Sequence, residues 1–546
     1  MNVFGYVPGG YAGDLVSVEV DIRRGIPATD IVGLPDNAVR EARERVRVAL
    51  RKTGLDYPRD HVLINLAPAG VKKTGASFDL AIAVAVLVES GQLGCGGGTS
   101  LPESVLVLGE LQLDGRVRRV RGVLPAVAAA LEHDIQHALV PAENRLEAEA
   151  LGRGSIDGVS HLADAVGIVA RGFPAGGRRA GDGGGSYDRR AGGGAAAPGG
   201  AAAPGADDAP DLDDLRGQAR FRRALEIAAA GRHHLMVVGP PGSGKTMGVR
   251  ALPSVLPDLP REDALEVMRI YSRAGLLGPR AGFIGRPPFR APHHTASLQG
   301  VVGGGRDILP GEISLAHHGV LFLDEAAEFR RNVLQSLREP TEQRRVFIAR
   351  AGRTYWYPAD FQLVIAANPC PCGYFGHPTR VCSCTMAEVT RYWKRLGGPL
   401  MDRIDLRVRA VPSNRELADG AAPAAGEATG TDTAYDAPDA APEASVVRER
   451  IRVAVQRQRE RYRGAEYNSN ARVPAARLRE IVRLDRATGD VLSRATSKLS
   501  LSERAVVSIL RTARTIADLE ASEEVKRVHL LESVQHRRLG EGNRWL

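Results

Sequence analysis

Three short runs in the middle of the chain are apolar throughout: Leu235-Met236-Val237-Val238, Val320-Leu321-Phe322-Leu323 and Leu363-Val364-Ile365-Ala366. Unbroken apolarity, rather than alternation, is the pattern of a strand covered on both faces. Helix-like stretches separate the runs, so they predict the buried parallel sheet of an α/β unit. Toward the C-terminus the period changes. Across residues 501–519, Val506, Ile509, Leu510, Ala513, Ile516 and Ala517 share one helical face, and strand-like runs almost vanish, which predicts a small helical bundle.

Two stretches break the pattern. Residues 173–210 are nearly all Gly, Ala, Pro, Arg and Asp, and residues 413–445 are rich in Ala, Pro, Asp and Thr. Neither has the apolar surface to offset the entropy of ordering, so the first is expected to be a flexible linker and the second a disordered insertion. Three folded blocks remain: 1–172, 211–412 and 446–546.

Composition narrows the class. A chain of 546 residues suits two to four domains. No apolar run approaches the roughly 18 residues of a membrane span, and residues 1–10 lack a basic region leading into an apolar one, so a cytoplasmic protein without a membrane partner is expected. The 73 Lys and Arg outnumber the 64 Asp and Glu, a net charge of +9 that permits nucleic-acid binding without requiring it. Four of the five cysteines are clustered, which fits a metal site or reduced thiols better than a disulfide framework.

The first strand runs into Gly239-Pro240-Pro241-Gly242-Ser243-Gly244-Lys245-Thr246, a match to G-x-x-x-x-G-K-[ST]. A glycine-rich turn between strand and helix points backbone N–H groups at a phosphate. Lys245 then reaches the β/γ-phosphates, and the Thr246 hydroxyl ligates Mg²⁺. The second strand ends in Asp324-Glu325. Asp324 would hold Mg²⁺ through water, and Glu325 would polarise the attacking water. The third ends at Asn368, a candidate to orient that water or simply a turn former before Pro369. Two arginines complete the set: Arg403 in Asp402-Arg403-Ile404-Asp405, and Arg511 in the helical block.

These pieces in this order resemble the AAA+ ATPases. The resemblance implies an α/β fold with an AAA+ P-loop NTPase core and a C-terminal helical lid, ATP and Mg²⁺ as ligands, and Asn368 as first sensor. It implies Arg403 as a finger completing the neighbouring subunit's site, with Arg391 and Arg395 as competing candidates, and Arg511 as the lid's sensor. A finger supplied in trans implies a ring, a homo-oligomer of six. The segment Pro310-Gly311-Glu312-Ile313-Ser314-Leu315-Ala316-His317-His318-Gly319 is similar to the magnesium-chelatase ATPase subunit. Arg290-Ala291-Pro292-His293-His294-Thr295 and Ala367-Asn368-Pro369-Cys370-Pro371-Cys372-Gly373 look like the ComM/YifB branch. That branch implies an ATP-dependent DNA helicase promoting branch migration in recombination and natural transformation. The alternatives are a magnesium-chelatase motor subunit, a protein remodeller, or a scaffold switched by ATP.

Cys370-x-Cys372 and Cys382-x-Cys384 offer four thiolates for a tetrahedral structural zinc, or else four reduced thiols packing a loop. Cys95 has no partner in sequence. The pairs His293-His294 and His317-His318 are expected in loops facing substrate or nucleotide rather than on a metal. A pore loop is expected at residues 301–307, with Arg306. Arg391-Tyr392-Trp393-Lys394-Arg395 fits stacking on nucleic acid, but a structural helix better.

In the first block, Lys73-Thr74-Gly75-Ala76-Ser77-Phe78-Asp79 and Gly109-Glu110-Leu111-Gln112-Leu113-Asp114-Gly115 look like the Lon-type protease fold (ribosomal S5-like, α+β). Ser77 stands at the nucleophile position. The dyad position expected to hold a lysine carries Leu124, so no base is available and the block is expected to be non-proteolytic, a binding or scaffold element. Its basic stretches, 40–51 and 116–121, are open to phosphate contacts or to plain solvation.

Overall fold

A computed structural model describes residues 1–93, 102–173, 210–215, 218–278, 283–350, 352–377, 379–411 and 442–538. Cys95, nearly all of the expected linker and most of the expected insertion lie outside the described residues.

The first 173 residues build a seven-stranded mixed sheet. Its spatial order is Ala28–Val32, His61–Ala67, Ala12–Arg23, Asn2–Gly9, Ser104–Val107, His137–Pro141 and Ser155–Val159. The long antiparallel pair at its centre sets Val3 against Val18 and Val7 against Asp14. Helices Asn37–Lys52 and Asp79–Glu89 cover one face. The second is apolar almost all round, and every residue from Leu80 to Leu87 is buried, as befits a helix enclosed by the sheet and its neighbours.

The middle block is a five-stranded parallel sheet in the order Phe289–Arg290, Val320–Leu323, Gln362–Ala367, Leu235–Val238, Leu406–Arg409. Two of the three apolar runs coincide with strands, and the third is extended by one residue at each end. All fourteen residues of those three strands are buried. The fifth, Leu406–Arg409, leaves only Arg409 exposed. Polar side chains at the strand ends are matched: Gln362 Nε2 donates to Ala228 O at 3.0 Å and to His233 O at 2.8 Å.

The C-terminal helices have a core of their own, built from Tyr462, Val473, Leu478, Ile509 and Leu530 among others, and also share one with the parallel sheet. Helix Ala444–Arg461 starts two residues ahead of the expected boundary and buries Ala444, Val447, Ile451 and Ala454 in the same core as helix Ala219–Gly231 and the parallel sheet. Helix Glu503–Leu519 adds Ile516 and Leu519 to that core, while its Ala505, Ile509, Ala513 and Ala517 face the other C-terminal helices. Ser508 Oγ donates to Asp405 Oδ1 at 2.7 Å, and His233 Nε2 lies 2.7 Å from Thr515 Oγ1.

The first and middle blocks also share a core. Val123, Leu124 and Val127 from helix Val123–Glu132 pack with Val267, Met268, Ile270 and Tyr271 from helix Arg261–Ala274. Hydrogen bonds cross the seam: Gly122 N–H to Ser272 O at 3.0 Å, Leu124 N–H to Ser272 Oγ at 3.3 Å and Tyr11 N–H to Trp356 O at 3.0 Å. Leu124 is fully buried there. An ammonium at that position would lose its hydration inside an apolar seam, which accounts for leucine where a dyad lysine is expected. Among the described residues, no helix is long and apolar enough to cross a membrane.

Candidate nucleotide site

The phosphate loop leaves strand Leu235–Val238 and enters helix Lys245–Arg250. Gly242 and Gly244 take φ of +76° and +73°, which the tight turn needs and a Cβ resists. Gly239 is small for another reason, since a Cβ there would sit 2.5 Å from Ala410 O. Ser243 Oγ donates to Pro240 O at 2.8 Å, and Gln218 Nε2 reaches in to Ser243 O at 3.1 Å. Gln218 belongs to no motif that would announce it.

Lys245 turns back on its own loop. Its Nζ donates to Gly239 O (2.7 Å), Pro240 O (2.8 Å) and Asn368 Oδ1 (3.1 Å). Burial pushes its pKa down, with Asp324 and Glu325 opposing that shift. The expected partners therefore converge: the phosphate-loop lysine, the first-sensor asparagine and the paired carboxylates. Thr246 Oγ1 donates to Asp324 Oδ2 at 2.8 Å. Glu325 has a left-handed φ of +49°, so the chain turns sharply at the strand end and presents two successive carboxylates. His294 Nδ1 lies 3.8 Å from Glu325 Oε2, which places one of the His-His segments beside the expected general base.

The other arginines and histidines are not gathered here. Arg403 pairs with Glu342 at 2.6 Å, and its Nη1 also donates to Pro399 O. Arg511 donates Nε and Nη2 to Val473 O at 2.9 and 2.5 Å. Arg395 stands 3.9 Å from Glu328. Tyr392 and Trp393 are buried, Trp393 Nε1 donates to Pro369 O at 3.0 Å, and the segment is the structural helix Met386–Leu396 rather than a stacking surface.

The second histidine pair departs from expectation, because His317 is buried rather than facing a ligand. Its Nδ1 accepts from Asp360 N–H at 3.0 Å, so the neutral ring carries its proton on Nε2 and donates to Glu266 at 2.9 Å. Burial lowers its pKa to about 4. His318 also approaches Glu266, at 3.3 Å.

This unit carries two arginine-bearing hairpins, the second resting against the first block through Tyr11 and Trp356, with Arg353 donating to Gly70 O. In the first, Gly303–Gly304 pairs with Leu309–Pro310 and exposes Arg306 at the tip. The second pairs Arg345–Arg350 with Arg353–Pro358 and exposes Arg345, Arg350, Arg353 and Phe347. No motif marks this hairpin in the sequence. In the first block, Arg45 is committed to buried Asp79 (2.7 and 2.9 Å), and Arg116 and Arg118 stand 3.3 and 3.6 Å from Asp114 and Glu110. That leaves less free positive charge than the sequence suggests.

Comparison with known proteins places the chain in a family. Residues 211–417 match the family model described as magnesium chelatase, subunit ChlI; residues 18–144 match subunit ChlI of Mg-chelatase; and residues 442–537 match the ChlI C-terminal model. YifB of Escherichia coli is 37% identical over 525 residues, 96% of this chain and 94% of its own length. The competence protein ComM of Haemophilus influenzae is 34% identical over 531 residues, 97% and 95% of the two chains. The chain belongs to the ComM/YifB family of magnesium-chelatase-like proteins. Another relative, an uncharacterised protein of Mycobacterium tuberculosis, is 40% identical over 511 residues, 93% of each chain. Membership of this family brings ATPase activity with ATP and Mg²⁺. The site fits both: Lys245 and the loop amides suit phosphates, and Thr246 and Asp324 are hard oxygen donors already side by side.

Proposed function

We propose that the chain is a ring-forming, ATP-dependent motor on DNA, a helicase of the branch-migration kind. The observation that carries this reading is the arginine set exposed on the two hairpins, Arg306, Arg345, Arg350 and Arg353, on the same unit as the nucleotide site. Positive loops on an ATPase suit a phosphate backbone. The printed name of the Haemophilus influenzae relative, a competence protein, points the same way.

In this mechanism, Lys245 exchanges its three oxygen partners for the β/γ-phosphates. Thr246 and Asp324 would hold Mg²⁺, which would supply positive charge against the phosphates. Glu325 accepts a proton from the attacking water while Asn368 orients it. Arg403 leaves Glu342 for the neighbouring protomer's nucleotide, which makes the hexamer a condition of turnover. The C-terminal helices act as the lid, with Arg511 as its sensor. The first block is a Lon-protease-like scaffold without proteolysis.

The deciding experiment uses the purified full chain with forked and four-way DNA. ATP hydrolysis stimulated by DNA, with strand separation or branch migration, is the expected result. Hydrolysis indifferent to DNA, with no DNA bound, sinks the motor-on-DNA reading in favour of a chelatase-type or protein-remodelling motor. Arg403→Ala is expected to lower hydrolysis by about 10³-fold while nucleotide binding persists. Equal loss of both would remove the trans-finger role.

A further inference from the structure

We propose that Cys370, Cys372, Cys382 and Cys384 hold a single zinc ion, and that this site braces the phosphate loop and the catalytic asparagine. The four Sγ atoms lie within 4.8 Å of one another. Three of the separations are 3.3 Å (Cys370–Cys372), 3.6 Å (Cys370–Cys382) and 3.5 Å (Cys372–Cys382). A tetrahedral ion with Zn–S bonds of about 2.3 Å has S···S edges of about 3.8 Å, so these three sulfurs are a few tenths of an ångström from such a face and Cys384 Sγ lies within reach as the fourth ligand. The spacing is too tight for an iron–sulfur cluster, whose several atoms hold its thiolates further apart.

Backbone amides prepare the sulfurs for negative charge. Phe375 N–H donates to Cys370 Sγ at 3.3 Å, Cys372 N–H to Cys384 Sγ at 3.4 Å and Cys384 N–H to Cys382 Sγ at 3.4 Å. Such donors fix ligand orientation around a metal and favour the thiolate. Cys370 is fully buried and the other three are partly buried, so four thiolates held this close together repel one another at a cost that a divalent cation offsets.

The position of the cluster gives it a task. Cys370 follows Asn368-Pro369 directly, so the first ligand pair anchors the residue that contacts Lys245. Gly373, at φ +85°, lies so close to the phosphate loop that a Cβ would come within 2.6 Å of Pro241 Cδ. Just after Cys384, Thr385 caps helix Met386–Leu396, whose Trp393 donates to Pro369 O. One ion therefore ties together the end of a core strand, the start of a helix and a loop resting on the phosphate loop.

The test begins with metal analysis of the full chain purified without chelators. One zinc per chain is expected, and protein grown with Co²⁺ should show the intense visible bands of a tetrahedral thiolate site. Zinc well below one ion per chain, iron in its place, or four freely reactive thiols overturns the site. The Cys382→Ser, Cys384→Ser double variant is expected to lose zinc and to bind a fluorescent ATP analogue at least about tenfold more weakly. Zinc lost with unchanged nucleotide affinity overturns the bracing role. Should the variant fail to fold, wild-type protein stripped with a mercurial reagent and chelator is read the same way. Affinity must fall on stripping and return when zinc alone is added back.

Discussion

Two buried lysines, Lys73 in the first block and Lys245 in the phosphate loop, look alike one by one. Burial lowers both pKa values, and both ammonium groups donate to carbonyls of their own loops, Lys73 to Pro68 O and Lys245 to Gly239 O and Pro240 O. Their company differs. Around Lys245 stand Asn368, Asp324 and Glu325, with Thr246 bonded to Asp324. For Lys73 the charged influence is Asp14. A buried lysine by itself is thus a packing solution. It becomes part of a reaction centre when acceptors for a metal and a base for water are arranged around the same point.

The comparison can be broken at three places. The largest effect is expected from Lys245→Ala, which removes the cation facing the phosphates. Hydrolysis should fall by roughly 10²–10³-fold while the chain keeps its cooperative thermal transition. An intermediate effect is expected where the two regions meet. Glu147 is buried at the seam, hydrogen-bonded by Asn144 Nδ2 and Ser272 Oγ, and burial pushes its pKa from 4.5 to about 7. The folded state thus holds this proton more tightly than the unfolded state. The stability it lends is fully present below about pH 4.5 and is lost as pH rises through 7, a swing of about 3 kcal/mol. Glu147→Gln should flatten the dependence of Tm on pH between 5 and 8 and make the variant the more stable form above pH 7. An unchanged slope would show that Glu147 is ionised at the seam. The smallest effect belongs to Lys73→Met, with ATP hydrolysis unchanged and stability altered by about 1 kcal/mol in either direction. A fall in hydrolysis approaching that of Lys245→Ala would erase the distinction.

What could be read beforehand follows the same divide between local and distant partners. The strands Leu235–Val238 and Val320–Leu323 were legible because a strand buried on both faces writes itself as an unbroken apolar run. The phosphate loop was legible because its chemistry fits in eight consecutive residues. His317 was not: its burial depends on an amide 43 residues away and a carboxylate 51 residues back. Arg403 is different: its pairing with Glu342 is a contact within one chain, and a role on a neighbouring protomer's nucleotide lies outside what one chain can display. The shared core of the first and middle blocks was hidden because helix Arg261–Ala274 has an amphipathic pattern that names no partner. For the cysteines, two C-x-C pairs were visible, while their convergence on one point depends on the turn between them.

Helix Ala444–Arg461 is held by far more than its peptide connection. Arg222 Nη2 donates to Pro442 O at 2.7 Å, Ala444 N–H to Asp213 Oδ1 at 2.8 Å and Arg448 Nη2 to Asp211 Oδ2 at 3.0 Å, above an apolar face sunk into the sheet's core. A gene divided anywhere between codons 412 and 441 should therefore yield two polypeptides that find each other and co-purify as one enzyme.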